Sequence, residues 1–150
     1  SLKQSFEAVI ETVQAKWQAE KRDAQKCGLI HGDLHAGNLI AQGNRLVLFD
    51  FDDAHRGWWS QDIAVAFYHL KKNFEALGQT FGSPEQAQVL AGYRNHRNLP
   101  PDFETDLAFF ITWRSWLLLA FLLARFKTWA NFPPLAQKAF NQMVERLSEA

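Results

Sequence analysis

Cysteine is all but missing from this chain. Cys27 is the only one in 150 residues, so no internal disulfide can brace the fold and a disulfide scaffold is excluded. A reducing compartment fits that usage, and a cytoplasmic location is expected. Net charge is missing as well: sixteen Lys and Arg balance sixteen Asp and Glu. That removes the broad basic face a nucleic-acid binder needs. Charged residues are only 21% of the chain and hydrophobic residues 47%, which excludes disorder as the main state and is enough for one domain with a sizeable core. Glycine is scarce at the front, with only Gly28 and Gly32 before Asp33. What is abundant is aromatic bulk, six Trp and thirteen Phe, the filling of a helical core.

The opening SLKQSFEAVIETVQ spreads charge through every turn and contains no apolar run of the kind a secretory leader needs. One stretch, Leu107 to Ala124 (LAFFITWRSWLLLAFLLA), is long enough to span a bilayer. It carries Arg114 near its middle, at about 2.5–3.5 kcal/mol on insertion scales, and Trp113 and Trp116 sit mid-stretch rather than at its ends. A buried helix is therefore expected, with no membrane partner.

Apolar residues at Leu2, Phe6, Val9, Val13 and Trp17 predict an amphipathic helix running to about Lys26, with Gly28 as its stop. Asn38–Gln42 and Arg45–Asp50 are short β-prone runs joined by Gly43-Asn44, which suits a hairpin turn. Ile63, Phe67, Leu70, Phe74 and Leu77 predict a second helix, closed by Gly78. Ser83-Pro84-Glu85-Gln86 reads as a capping-box start of a helix to about His96. Pro100-Pro101-Asp102 opens the long apolar helix, expected to end near Trp129. After Pro133-Pro134, residues Leu135, Ala139, Met143 and Leu147 mark a terminal helix. The predicted architecture is mainly α with one small β-hairpin.

Polar residues gather where this periodicity fails. From His31 to Asp62 there are five Asp (33, 50, 52, 53, 62) and no Glu, against only Arg45 and Arg56. Crowded carboxylates repel unless a cation joins them, and a divalent metal is the usual answer. Asp33 is followed five residues later by Asn38, and Asp50 ends the second arm of the hairpin. Phosphoryl transfer needs such a set. One Asp receives or orients the proton of the attacking hydroxyl, while an Asn and another Asp hold Mg²⁺ against phosphate oxygens. Antiparallel pairing would return Asp50 to about 5 Å from the Asn38 strand.

HGDLHAGNLI followed by LVLFDFDDA resembles the catalytic and metal-binding segments of the aminoglycoside phosphotransferase and choline-kinase-like family, which shares the protein-kinase-like fold. GWWSQDIA, Gly57 to Ala64, is similar to its G-x-x-x-x-D-L-A segment. The resemblance implies Asp33 as catalytic base, Asn38 and Asp50 as Mg²⁺ ligands, ATP as co-substrate, His31 as the structural His of the catalytic loop and Asp62 as the brace of that loop. The bacterial homoserine-kinase and stress-response-kinase branches look nearest, from AGYRNHRNLP and the Trp-rich helix after it. Ala36, and the stretch from Trp58 to Ser60, stand where the family often has Pro. A larger departure precedes Asp33: no Gly-rich loop and no strand with an ATP-pairing Lys fit there. The resemblance therefore covers the C-terminal lobe of the fold over residues 1–150. The nucleotide-clamping N-terminal lobe is expected to be a missing partner in cis. Such a lobe alone should fold but transfer no phosphate, and the face left bare could drive self-association.

Several residues keep two readings. His35 can orient Asp33 or a metal-bound water, or make a loop hydrogen bond. Asp52 and Asp53 can line a substrate approach, with a local ion pair to Arg56 favoured. Trp58 and Trp59 can stack on substrate, with packing favoured. Arg114 must find either an acidic side chain or a substrate carboxylate. The phosphate acceptor cannot be read, and the substrate-binding residues are unknown. A regulatory, non-catalytic lobe is the alternative. Asp33-Leu34-His35 also resembles the D-x-H opening of calcineurin-like metallophosphoesterases, whose further metal motifs do not follow and whose preceding strand is not expected here.

Overall fold

The computed structural model describes residues 2–126 and 132–148. Its elements are α1 (Leu2–Glu20), β1 (Cys27–Ile30), a 3-10 turn at Ala36–Asn38, β2 (Leu39–Gln42), β3 (Arg45–Leu48), β4 (His55–Trp58), α2 (Trp59–Ala76), α3 (Ser83–Arg94), α4 (Phe103–Phe126) and α5 (Pro134–Ser148). Helices dominate, as the apolar spacing predicts. The β2–β3 hairpin forms across Gly43-Asn44, pairing Leu39 with Leu48 and Gln42 with Arg45, but it is shorter than expected: Asn38 belongs to the 3-10 turn and Asp50 lies beyond the end of β3, so strand pairing does not set Asp50 opposite Asn38.

A second antiparallel pair was not predicted. Cys27–Ile30, where no strand is expected before Asp33, is β1, and it pairs with β4 in the register Cys27↔Trp58 to Ile30↔His55. Its partner lies some thirty residues on, so no local pattern announces it. The pair clips together the two ends of the segment that holds every candidate site residue from His31 to Asp53. Gly28 is a strand residue rather than a helix stop, and a Cβ there would meet the Trp59 ring at 2.0 Å.

Helix α1 stops at Glu20, well short of Lys26. Asp23 ends it: its carboxylate accepts from the Gln25 N–H at 2.8 Å, and its carbonyl accepts from Lys26 and Cys27. That local bonding competes with the helix ladder. In α2, Ile63 and Phe67 are buried and Leu70 and Phe74 pack against the same core. Leu77 is the exception, 72% exposed, because the helix ends at Ala76 and Leu77 already caps it. The start of α3 lies one residue earlier than the capping-box reading: Gly82 is the N-cap and Glu85 reaches back to its N–H at 2.9 Å. Its end, at Arg94, falls two residues before His96.

Helix α4 is long and apolar enough to cross a membrane by length and composition; the expected burial is met only in part, since one face packs into the core while Leu117, Phe121 and Leu123 are exposed. Phe103, Leu107 and Phe110 join Cys27, Trp58, Ile63, Ala64, Phe67 and Phe81 in one buried cluster. Trp116 and Leu119 form a second cluster, covered by Phe6 and Val9 of α1 and by Phe140 and Val144 of α5. The expected α4 end at Trp129 lies outside the described residues, as do the side chains of Leu2, Leu135, Ala139, Met143 and Leu147.

Candidate active site

The loop from His31 to Asn38 is built from the inside out. Asp62, in the first turn of α2, accepts the His31 N–H on one oxygen and the Gly32 N–H on the other, both at 2.8 Å. Two backbone donors on one carboxylate fix the loop to the helix. Gly32 takes a left-handed φ of 83°, where a Cβ would strike the Asp53 carbonyl at 2.4 Å. His31 is buried. Its Nδ1 accepts the Asp33 N–H at 3.3 Å, which leaves Nε2 to donate to the Phe49 carbonyl at 3.0 Å. One imidazole thus ties the Asp33 backbone to the end of the hairpin.

Asn38 is buried, and its carboxamide nitrogen donates to the Asp33 carbonyl at 3.0 Å. The oxygen is then what the amide has left to offer. The Phe49 N–H donates to the Asn38 carbonyl at 3.1 Å, which sets the residue before Asp50 against Asn38. Asp50 is exposed and has φ 61°, the only non-glycine in the left-handed region among the described residues. That conformation costs about 1–3 kcal/mol and collects at functional sites. Among the described residues no group of three His, Cys, Asp or Glu forms a metal site. The Asn38 amide oxygen and the Asp50 carboxylate are hard oxygens, the donor type that suits a Mg²⁺ still carrying water and phosphate oxygens.

The Asp33 carboxylate is held at both ends. One oxygen pairs with the Arg114 guanidinium, which comes from the middle of α4. The other faces His35 Nε2 at 3.2 Å. His35 Nδ1 accepts the Gly37 N–H at 2.9 Å, so both readings of His35, loop bond and Asp33 partner, are realised in one ring. The same Arg114 nitrogen lies 3.1 Å from His69 Nε2, and the His69 and His35 rings stand 4.9 Å apart. Burial raises the Asp33 carboxyl, but the charge and hydrogen bond of Arg114 outweigh it and hold the group below its usual range. Burial first, then Arg114, pushes His69 down to about 4.

Arg114 thus found an acidic side chain. His69 was missed by the sequence reading, although it stands two turns beyond Asp62 on the same helix, and that spacing was the available signal. The favoured Arg56 ion pair is corrected. Arg56 gives Nε and Nη2 to the Lys21 carbonyl at 3.2 and 3.0 Å, and among the described residues no ion pair joins it to Asp52 or Asp53 because the β1–β4 pairing turns it towards the end of α1. Trp58 packs between Trp17 and Phe110 and donates to Glu20 at 2.9 Å, a core residue. Trp59 carries the Arg97 guanidinium over its ring at 3.9 Å. It lines an open cleft of about 510 Å³ with Leu34, Ile63, Tyr93 and Arg97.

The solved structure of amicoumacin kinase hAmiN, with AMP-PNP, Ca²⁺ and Ami, superposes with a TM-score of 0.76 at 20% identity, over 99% of this chain and 45% of that one. The microcompartment-associated aminopropanol kinase gives 0.67 at 26% identity, over 97% of this chain and 43% of the other. Amicoumacin kinase of Bacillus subtilis (strain 168) is 40% identical over 43 residues, 29% of this chain and 13% of that protein. A probable bifunctional tRNA threonylcarbamoyladenosine biosynthesis protein of Methanobrevibacter smithii is 34% identical over 65 residues, 43% of this chain and 12% of its own length. The chain therefore spans less than half the length of the solved relatives, and their fold is the protein-kinase-like one. Residues 1–102, which contain the braced loop, the hairpin and Asp62, match the APH phosphotransferase enzyme family, and the chain belongs to that family.

Proposed function

We propose that this chain is the catalytic-loop lobe of a kinase that transfers the γ-phosphoryl group of ATP to a hydroxyl of a small molecule. The observation that carries this reading is the braced loop itself: Asp33 is met at both carboxylate oxygens, and Asn38 is bonded back to the Asp33 carbonyl. The relatives named for small hydroxyl compounds, amicoumacin and aminopropanol, support a small acceptor. The complex with AMP-PNP and Ca²⁺ supports a nucleotide and a divalent ion. The coverage of 45% and 43% supports a second, nucleotide-clamping lobe. So do the apolar side chains exposed on the hairpin and just after it, among them Leu46 at 71% and Phe51 at 56%.

In this reading the acceptor oxygen attacks the γ-phosphorus, the bond to the β-phosphate oxygen breaks, ADP leaves, and the hydroxyl proton passes to the Asp33 carboxylate. Asn38 Oδ1 and the Asp50 carboxylate would hold Mg²⁺, which when bound neutralises phosphate charge. Asp62 and His31 keep the loop in place, and His35 keeps Asp33 oriented. Catalysis on such a site is positioning and electrostatics more than covalent chemistry. The test uses the protein joined to its nucleotide lobe, Mg·ATP and a panel of amino alcohols, homoserine and aminoglycosides, followed by ³¹P NMR. A new phosphomonoester, absent from Asp33→Asn, is expected. Bound ATP with no transfer to any hydroxyl would overturn the reading.

A further inference from the structure

Arg114 is the only charged residue between Leu107 and Ala124, and its side chain is only 13% exposed. A charge in that position is costly unless paired. Its carboxylate partner is Asp33, 81 positions away on the loop. The pairing is also incomplete as structure. One guanidinium nitrogen serves both Asp33 and His69, while Nε is buried with no partner. Buried polar groups left unsatisfied are rare, and each needs a reason. His69 meets the guanidinium through a ring nitrogen that accepts, and so steers Arg114 without competing for the carboxylate. Arg114 and His35 take one Asp33 oxygen each. Together they set the plane of the carboxylate while leaving each oxygen a lone pair for an incoming hydroxyl.

We propose that Arg114 is a positioning residue for phosphoryl transfer, holding the Asp33 carboxylate where the acceptor hydroxyl must meet it, with His69 as its support. This rests on the phosphotransfer reading above. Displacing a reacting group by about 1 Å can cost ~10²-fold in rate. In the protein joined to its nucleotide lobe, Arg114→Met should lower kcat by about 10²-fold while KM for ATP changes by less than about threefold. Arg114→Lys, which keeps the charge without the planar fork, should lose only about tenfold. The acceptor is whichever hydroxyl compound gives turnover in the panel. Unchanged kcat in a folded Arg114→Met variant, or a rise confined to KM for the acceptor, would overturn the proposal. If the Met variant does not fold, the Lys variant decides in the same way. If the parent protein transfers nothing, the phosphotransfer reading fails separately, and ¹⁵N–¹H spectra of the Arg114 guanidinium test the holding contact itself. Those signals should shift and rotate faster in Asp33→Asn; unchanged signals would show that Arg114 does not hold Asp33.

Discussion

Among the described residues two charged clusters can be compared, and they are satisfied to different degrees. One joins the end of α1 to β4 and the start of α4. Glu20 accepts from Lys16 and Lys26, each at 2.8 Å, and from the Trp58 indole at 2.9 Å. Lys16 also reaches the buried Asp106 at 2.7 Å, and Lys26 pairs with Asp102. Burial would raise the Glu20 carboxyl, but these three donors hold it down to about 2. Its one loose end is Asp102 Oδ1. The other cluster is Asp33, His35, His69 and Arg114, where one guanidinium nitrogen is shared and Nε is orphaned. The first cluster is organised to lock three segments together. The second leaves lone pairs and a buried nitrogen without a partner, and the proposed function uses those lone pairs for an incoming hydroxyl.

The largest contrast should come from removing the central carboxylate of each cluster. Asp33→Asn in the protein joined to its nucleotide lobe should lower kcat by about 10²–10⁴-fold with little change in ATP affinity. Phosphoryl-transfer rates above a tenth of the parent would break the contrast. Glu20→Ala should leave the Trp58 N–H without its acceptor while Lys16 and Lys26 keep Asp106 and Asp102, and should lower unfolding free energy by about 1–3 kcal/mol. Urea melts read this, and an unchanged midpoint would show that the hub is not a lock.

Acid should separate the clusters next. The unfolded chain takes up the His69 proton near pH 6.5, the folded chain only near 4. Stability from this group is therefore complete above about pH 6.5 and falls as pH drops towards 4, by on the order of 2 kcal/mol. His69→Gln should flatten that window. The Glu20 contribution persists lower, being present above about pH 4.5 and lost as pH falls towards 2. Melts that decline in a single step below pH 4.5 in both proteins would contradict the first part. The smallest effect expected is a gain: Asp50→Gly relieves a positive φ and should add about 0.5–1 kcal/mol of stability while turnover is lost. A destabilised Gly variant would show that Asp50 is not strained.

Much of this was legible from spacing. His31, Asp33, Asn38 and Asp62 lie in short motifs, and loop geometry repeats wherever such motifs do. The helices were legible because Ile63, Phe67, Leu70 and Phe74 recur at helical spacing and find one core. What stayed hidden is non-local. β1 is four residues whose partner is β4, Arg56 bonds a carbonyl 35 positions back, and Arg114 reaches Asp33 across 81. No window of sequence contains both members of these pairs. Only the cost of burying Arg114 unpaired signalled that a partner existed, without saying which one.

In the proposed function Asn38 and Asp50 would form the metal-binding side of the Asp33 loop. Mn²⁺ titration of the protein with ATP, followed by paramagnetic broadening of assigned backbone amides, tests this directly. Broadening should begin at Asn38 and Asp50, reach Asp33 next, and spare Glu20 and Asp102. Broadening that begins at the Glu20 hub, or that leaves Asn38 and Asp50 sharp while Mn²⁺·ATP is bound, would contradict it.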